Sequence, residues 1–217
     1  MPRKMRRDAF ENRERLLDAA FELLAERDPD LTVRELAVHT GLGIGTAYRH
    51  FATHEDLIRA LYDRANERIA NAITSVPATG SAWERLAALM DTATFAIADL
   101  PALRTVMRLM YDLDPDYDPG SGGTAVLQAA TDACEREGSI RPGITGGDLA
   151  VTGFALAGLV GRPTERERSM LRRHLAIFLD GLHADGPRAE LPPLTMTPSQ
   201  FRVFMHRSHA PAHDATP

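Results

Sequence analysis

The sequence predicts an all-α protein, and three observations carry that reading. Apolar residues recur three and four positions apart in segment after segment, as in Leu16, Leu17, Ala20, Phe21, Leu23 and Leu24, or Met170, Leu171, Leu175, Phe178, Leu179 and Leu182. Five times a Ser or Thr is followed three residues later by an acid, at Thr32, Thr53, Ser81, Thr145 and Thr164, which is the signature of a helix start. No stretch alternates apolar and polar with the two-residue period of a half-buried strand.

Taken in order, the first helix is expected over Glu11 to Arg27, ending before Pro29, with a basic arm of Arg3, Lys4, Arg6 and Arg7 ahead of it. A capping box at Thr32 and Glu35 opens a short second helix. Gly41 then arrives where a helix end wants a residue able to take positive φ. The turn from Thr40 to Leu42 has the three-residue length of a helix-turn-helix, and Ala37 with Gly41 gives the small pair that lets two helices cross closely.

The third helix, about Ile44 to His50, starts with Gly43, Ile44, Gly45 and Thr46, which carry little bulk and no charge. That suits an end that enters a DNA major groove, where Thr46 can touch a thymine methyl or a base edge. Tyr48, Arg49 and His50 follow with a hydroxyl, a guanidinium and an imidazole for phosphates or a base.

Thr53 and Asp56 cap a long fourth helix carrying Leu57, Ile58, Leu61, Tyr62, Ala65, Ile69 and Ile73, to about Ser75. Pro77 and Gly80 mark the clearest break in the chain. Ser81 and Glu84 open a helix to about Asp99, Pro101 sits at the first turn of one over Ala102 to Tyr111, and another spans Thr124 to Glu137 up to Gly138. Thr145 and Asp148 begin a very apolar helix running to Gly161, and Thr164 with Glu167 caps the last long one, to about His183. Proline-rich residues 185–217 read as an extended, partly disordered tail with at most one short helix near Ser199 to Met205.

The segment Gly43 to Phe51, with Thr53-His54-Glu55-Asp56-Leu57 after it, resembles the DNA-binding domain of the tetracycline-repressor (TetR-like) family of bacterial regulators. The resemblance covers Phe10 to Asn71 and implies a domain over 10–71 joined by its long helix to a helical effector-binding and dimerisation domain over 81–184. It implies DNA contacts from Thr32 and Arg34 of the first motif helix, from Ile44, Gly45, Thr46, Tyr48, Arg49 and His50 around the second, and from His54 at the start of the next. Many family members have lysine at the position of His54, so here a constant phosphate contact becomes a titratable one. The function implied is a ligand-responsive homodimeric regulator, a repressor, released from a palindromic double-stranded DNA operator by a small-molecule effector. The rival reading is a helical ligand-binding or interaction protein whose motif is not used for DNA.

Composition sets bounds on these readings. The chain has 217 residues, 44% hydrophobic and 25% charged, ordinary proportions for a globular protein with a good core. A net charge of −5 argues against coating nucleic acid indiscriminately but leaves room for a local basic site. No apolar run approaches the roughly 18 to 20 residues of a membrane span, and no apolar stretch follows the N-terminal charges, so a cytoplasmic location without a membrane partner is expected. The single cysteine, Cys134, cannot build an internal disulfide and falls at helical spacing with Leu127 and Ala130 as a buried thiol.

The apolar helix after Thr145 cannot face water all round, and with the helix after Thr164 it could form half of a four-helix bundle with a second copy. Two recognition helices about 34 Å apart would then read a palindrome. Trp83, Met90, Phe95, Met107, Met110, Tyr111, Leu127 and Phe154 are the aromatic, methionine and leucine side chains that could line an adaptable effector pocket; they are also what any helical core contains.

Weaker signals point elsewhere. Asp112, Asp114, Asp116 and Asp118 alternate like calcium ligands but lack the glycine at the sixth position and the glutamate at the twelfth. His206, His209 and His213 lie in the tail, and His50 and His54 fall on two different helices. No nucleophile with a base, metal set or phosphate loop stands at recognisable spacing, so no enzyme, metal or cofactor is expected.

Overall fold

All five predicted caps close. In the computed structural model, which describes residues 2–26, 31–100, 102–117, 123–160, 163–185, 191–192 and 200, each capping hydroxyl accepts the backbone N–H three residues on. The acid at that position in turn accepts the N–H of the cap residue, at 2.7–3.0 Å. Each such cap is worth about 1 kcal/mol to its helix. The resulting helices are α1 (Pro2–Glu26), α2 (Val33–Thr40), α3 (Ile44–His50), α4 (His54–Thr74), α5 (Ala82–Ala98), α6 (Leu103–Leu113), α7 (Gly123–Glu137), α8 (Gly146–Ala157) and α9 (Glu165–Leu182). Among the described residues the only β-type pairing is an isolated antiparallel bridge between Ile140 and His183.

Two boundaries depart from expectation. α1 begins at Pro2, so Arg3, Lys4, Arg6 and Arg7 belong to the helix and form no separate arm. The stretch has no apolar stripe to announce a helix, yet after Pro2 it contains no breaker, and Arg7 pairs with Glu11 one turn on at 2.8 Å. At the other end, α8 stops at Ala157 with Gly158 as its C-cap, short of Gly161. Its small residues suit close approach to other helices but hold a helix weakly. Pro101, Asp118, Gly161 and the tail histidines lie outside the described residues, as does all of the suggested Ser199 to Met205 helix except Gln200.

The chain divides into two compact units. The first holds α1, α2, α3, α4 through Ala65, and α6; the second holds α4 from Asn66, with α5, α7, α8 and α9. The division falls inside α4 and assigns α6 to the first unit, whereas the sequence suggested a break between 71 and 81 with α6 beyond it. Side-chain pairs over 50 residues apart in sequence explain the assignment. Arg59 of α4 pairs with Asp114 at 3.2 Å, and the Tyr117 hydroxyl donates to Asp63 at 2.8 Å. Tyr117 also meets the Tyr62 ring edge-on.

In the first unit Leu16, Leu17 and Ala20 of α1, Leu36 and Ala37 of α2, Ala47 of α3 and Leu57 and Leu61 of α4 are fully buried. Arg64, its side chain only 12% exposed, ties α4 to α1 through Glu14 and through Asp18 at 2.8 Å.

The second unit is laced at its helix ends. Glu137 at the end of α7 accepts the Ala82 N–H at the start of α5, at 3.1 Å. Gln128 of α7 accepts the Gly146 N–H at the start of α8, at 2.7 Å. The residues after α7 pair with the end of α9 through Arg141 N–H to the Leu182 carbonyl at 2.9 Å. Trp83 stacks on His183 with ring centroids 3.8 Å apart. Cys134 is buried, and burial pushes its thiol pKa up.

Candidate nucleic-acid interface

The geometry of α2 and α3 follows from local chemistry. Gly41 takes φ of +68° as the C-cap of α2, a conformation that costs a residue with a Cβ about 1 kcal/mol or more. Its N–H, and that of Leu42, return to the last carbonyls of α2. Gly43 then serves as N-cap of α3 in extended conformation.

α3 is the decisive element. Among its described residues Ala47 alone is buried, and Phe51 directly after it is buried too. On the outer side Ile44 is 44% exposed and Tyr48 is 45% exposed, one turn apart on the same face. A short helix that leaves its largest side chains in solvent is anchored by its small one and presents the rest. Gly45 and Arg49 are exposed beside them, while Thr46 and His50 are half-buried.

Arg49 is held along the helix. Its Nε donates to the Gly45 carbonyl at 3.1 Å and its Nη2 to Thr46 Oγ1 at 3.1 Å. The Thr46 hydroxyl accepts from Arg49 and keeps its own proton for another acceptor. The pKa of His50 is held below its ordinary value, first by burial and then by the charges of Arg13 and Arg49. It therefore meets neutral pH as an uncharged imidazole.

The start of α4 lies beside the start of α2. His54 Nδ1 is 3.0 Å from the Leu31 carbonyl, next to the Thr32 cap. A carbonyl only accepts, so Nδ1 carries the proton and Nε2 is left for any further contact. Thr32 and Arg34 are exposed at that end of α2. Of the nine predicted contact residues, the structure thus joins Arg49 with Gly45 and with Thr46 by hydrogen bonds and sets His54 against the residue preceding Thr32.

Two basic residues of α1 escaped the sequence reading. Arg13 lies 5.6 Å over the Phe51 ring, and Arg15 donates to the Thr40 carbonyl at 3.1 Å, closing the end of α2. The signal was the run Arg13-Glu14-Arg15 immediately before the apolar stripe, which reads equally well as a solvated face.

The residues suggested for a pocket are divided between the two units. Met107, Met110 and Tyr111 of α6 belong to the first unit; Trp83, Met90, Phe95, Leu127 and Phe154 belong to the second. Met90, Phe95 and Leu127 are buried, and Trp83 and Phe154 half-buried.

A family model described as bacterial regulatory proteins, tetR family, matches residues 16–61, from the buried stripe of α1 through α2 and α3 into α4. A TetR transcriptional regulator from Streptomyces coelicolor is 27% identical, with a TM-score of 0.54, over 79% of this chain and 98% of that one. Residues 16–61 thus form a tetR-family domain.

A Staphylococcus aureus HTH-type transcriptional regulator is 41% identical over 54 residues, which are 24% of this chain and 29% of that relative. The ketosteroid transcriptional regulator KstR2 of Mycobacterium tuberculosis, 21% identical, shares the fold with a TM-score of 0.66 over 80% of this chain and 96% of its own. The family match thus falls on the segment whose exposed face is Ile44, Gly45, Tyr48 and Arg49. Among the described residues, no single helix is long and apolar enough to cross a membrane.

Proposed function

We propose that the protein is a cytoplasmic, homodimeric repressor that binds a palindromic operator through α2, α3 and the start of α4, and leaves it when a small-molecule effector binds. It acts by binding and carries out no catalysis. The observation that carries this reading is the exposed pair Ile44 and Tyr48 on a helix that buries only Ala47. On a structural helix those two side chains would be the first to be covered.

Dimerisation through α8 and α9 is supported by the face that α9 leaves open. Met170 and Ile177 stand seven residues apart on it, with Ile177 58% exposed and Leu159 exposed just beyond α8. An effector coupling of about 1–3 kcal/mol would change operator affinity roughly 5- to 150-fold.

The test is binding of the purified chain to the DNA upstream of its own and neighbouring genes, at two salt concentrations, with Tyr48→Ala as control. Palindrome-dependent binding lost in the control is the expected result. Binding as weak and salt-sensitive as that of any basic protein, and unchanged by Tyr48→Ala, would refute the proposal.

A further inference from the structure

The proton of the Thr46 hydroxyl has no outlet within α3. A threonine in a helix ordinarily returns that proton to the carbonyl four residues back, as Thr40, Thr74, Thr131 and Thr152 do here at 2.8–3.0 Å. Thr46 stands in the first turn, so the residue four back, Leu42, precedes the helix. The nearer carbonyl, that of Gly43, already accepts the N–H of Thr46 at 2.8 Å and that of Ala47 at 3.1 Å, which fills both its lone pairs. Among the described residues, the hydrogen bond of this hydroxyl is the one it accepts from Arg49.

Arg49 fixes the role of that hydroxyl. A hydroxyl left to itself both donates and accepts, and turns to suit its partner. Here the Arg49 side chain folds back along its own helix, with Nε donating to the Gly45 carbonyl and Nη2 to Thr46 Oγ1, each at 3.1 Å. The planar guanidinium is therefore held at two points. Its charge polarises the hydroxyl, which strengthens the Thr46 proton as a donor and disfavours a second donor at the same oxygen.

The hydroxyl is also left uncovered on one side. Gly43 is exposed, and among the described residues a Cβ built on it would meet only Thr46 Oγ1, at 3.7 Å. A larger side chain at that position would stand over the hydroxyl. The helices α2, α5, α8 and α9 carry Thr or Ser at the equivalent cap position, bonded to the N–H three residues on; α3 carries glycine and makes no such bond.

We propose that Arg49 is a positioning residue, which holds the Thr46 hydroxyl as a donor so that Thr46 reads an acceptor on a base edge, guanine O6 or N7 or thymine O4, and rejects the amino group of cytosine. The role rests on the operator-binding reading above and makes the pair a determinant of sequence. Arg49 then acts through Thr46, not through a phosphate.

The test uses the full-length protein and the duplexes that it enriches from random double-stranded DNA. Each base pair in one half of the enriched site is exchanged in turn, and affinity is measured for the wild type, Thr46→Ser, Thr46→Val and Arg49→Lys. At one position the wild type is expected to prefer guanine or thymine to cytosine by about two- to tenfold, the range of one net hydrogen bond. Thr46→Ser retains the hydroxyl and should retain the preference, whereas Thr46→Val should lose it. Arg49→Lys keeps the charge but lacks the planar fork, so it should lose the same preference while its salt dependence stays that of the wild type.

Arg49→Lys with the preference intact would mean that only the positive charge is used, as on a phosphate, and would overturn the positioning role. A wild type without such a position, a preference that survives in Thr46→Val, or a uniform weakening by Arg49→Lys at every base pair would overturn it equally. In each of these cases the wild type still binds its selected site, and the operator reading stands. If the wild type enriches no sequence, that reading and the role of Arg49 fail together.

Discussion

Alanine placed at Gly146 and at Gly153 should change stability in opposite directions, although both glycines lie on α8 with ordinary negative φ. At Gly146 the added Cβ would stand 2.5 Å from Gln128 N, 2.8 Å from the Thr124 carbonyl oxygen and 2.9 Å from Gln128 Cα. These are backbone atoms of α7 and cannot swing aside. Relaxed contacts near 3.5 Å require the start of α8 to retreat by about 1 Å. That retreat stretches the 2.7 Å bond from Gly146 N–H to Gln128 beyond useful length.

Overpacking of this kind costs about 1–3 kcal/mol and the lost hydrogen bond about 1 kcal/mol more. Better helix propensity returns at most about 1 kcal/mol. The net loss is about 2 kcal/mol, or roughly 4–8 °C in Tm for a chain of this size. At Gly153 the methyl meets, among the described residues, only Thr94 Oγ1 at an ordinary 3.5 Å, so propensity and roughly 0.8 kcal/mol of new apolar burial both act in favour. Gly153→Ala should therefore raise Tm by a few degrees. Scanning calorimetry on the two variants beside the wild type decides the matter. A stable Gly146→Ala, or a loss in Gly153→Ala equal to that in Gly146→Ala, would refute the reasoning from Cβ space.

Other perturbations follow from the same geometry. Arg64→Met removes the bridge from α4 to Glu14 and Asp18 of α1; with both acids free to reach solvent, the loss should be about 2 kcal/mol in urea unfolding, since charge-assisted bonds are individually strong but not additive. The folded-state pKa of His50 lies below its ordinary value of about 6.5, so the unfolded chain takes up this proton more readily. Stability associated with His50 is thus full above about pH 6.5 and falls as pH drops below it, and His50→Gln should flatten that part of the pH profile of the urea midpoint. Cys134, buried and with its thiol pKa raised, should react with a disulfide reagent at neutral pH many times more slowly in the native protein than in denaturant; equal rates would contradict its burial.

What the sequence disclosed and what it withheld divide along physical lines. Capping boxes are complete within four residues, so Thr32, Thr53, Ser81, Thr145 and Thr164 could be read directly as helix starts. The Gly41 turn is equally local. The N-terminal part of α1 was missed because periodicity detects burial, and that stretch is helical through propensity and the Arg7–Glu11 pair. The grouping of α6 with the first unit was not readable, because Asp114 and Tyr117 just past its end pair with Arg59 and Asp63 more than 50 residues away, and one sequence carries no record of such pairing.

The candidate DNA contacts were legible through the resemblance, and the exposure of Ile44 and Tyr48 adds the physical point that neither is spent on the core. The buried Thr94 hydroxyl, which has no hydrogen-bond partner among the described residues, was invisible for the opposite reason. A threonine inside a helix ordinarily satisfies itself on the preceding turn, as Thr131 does, so its sequence context predicts nothing unusual.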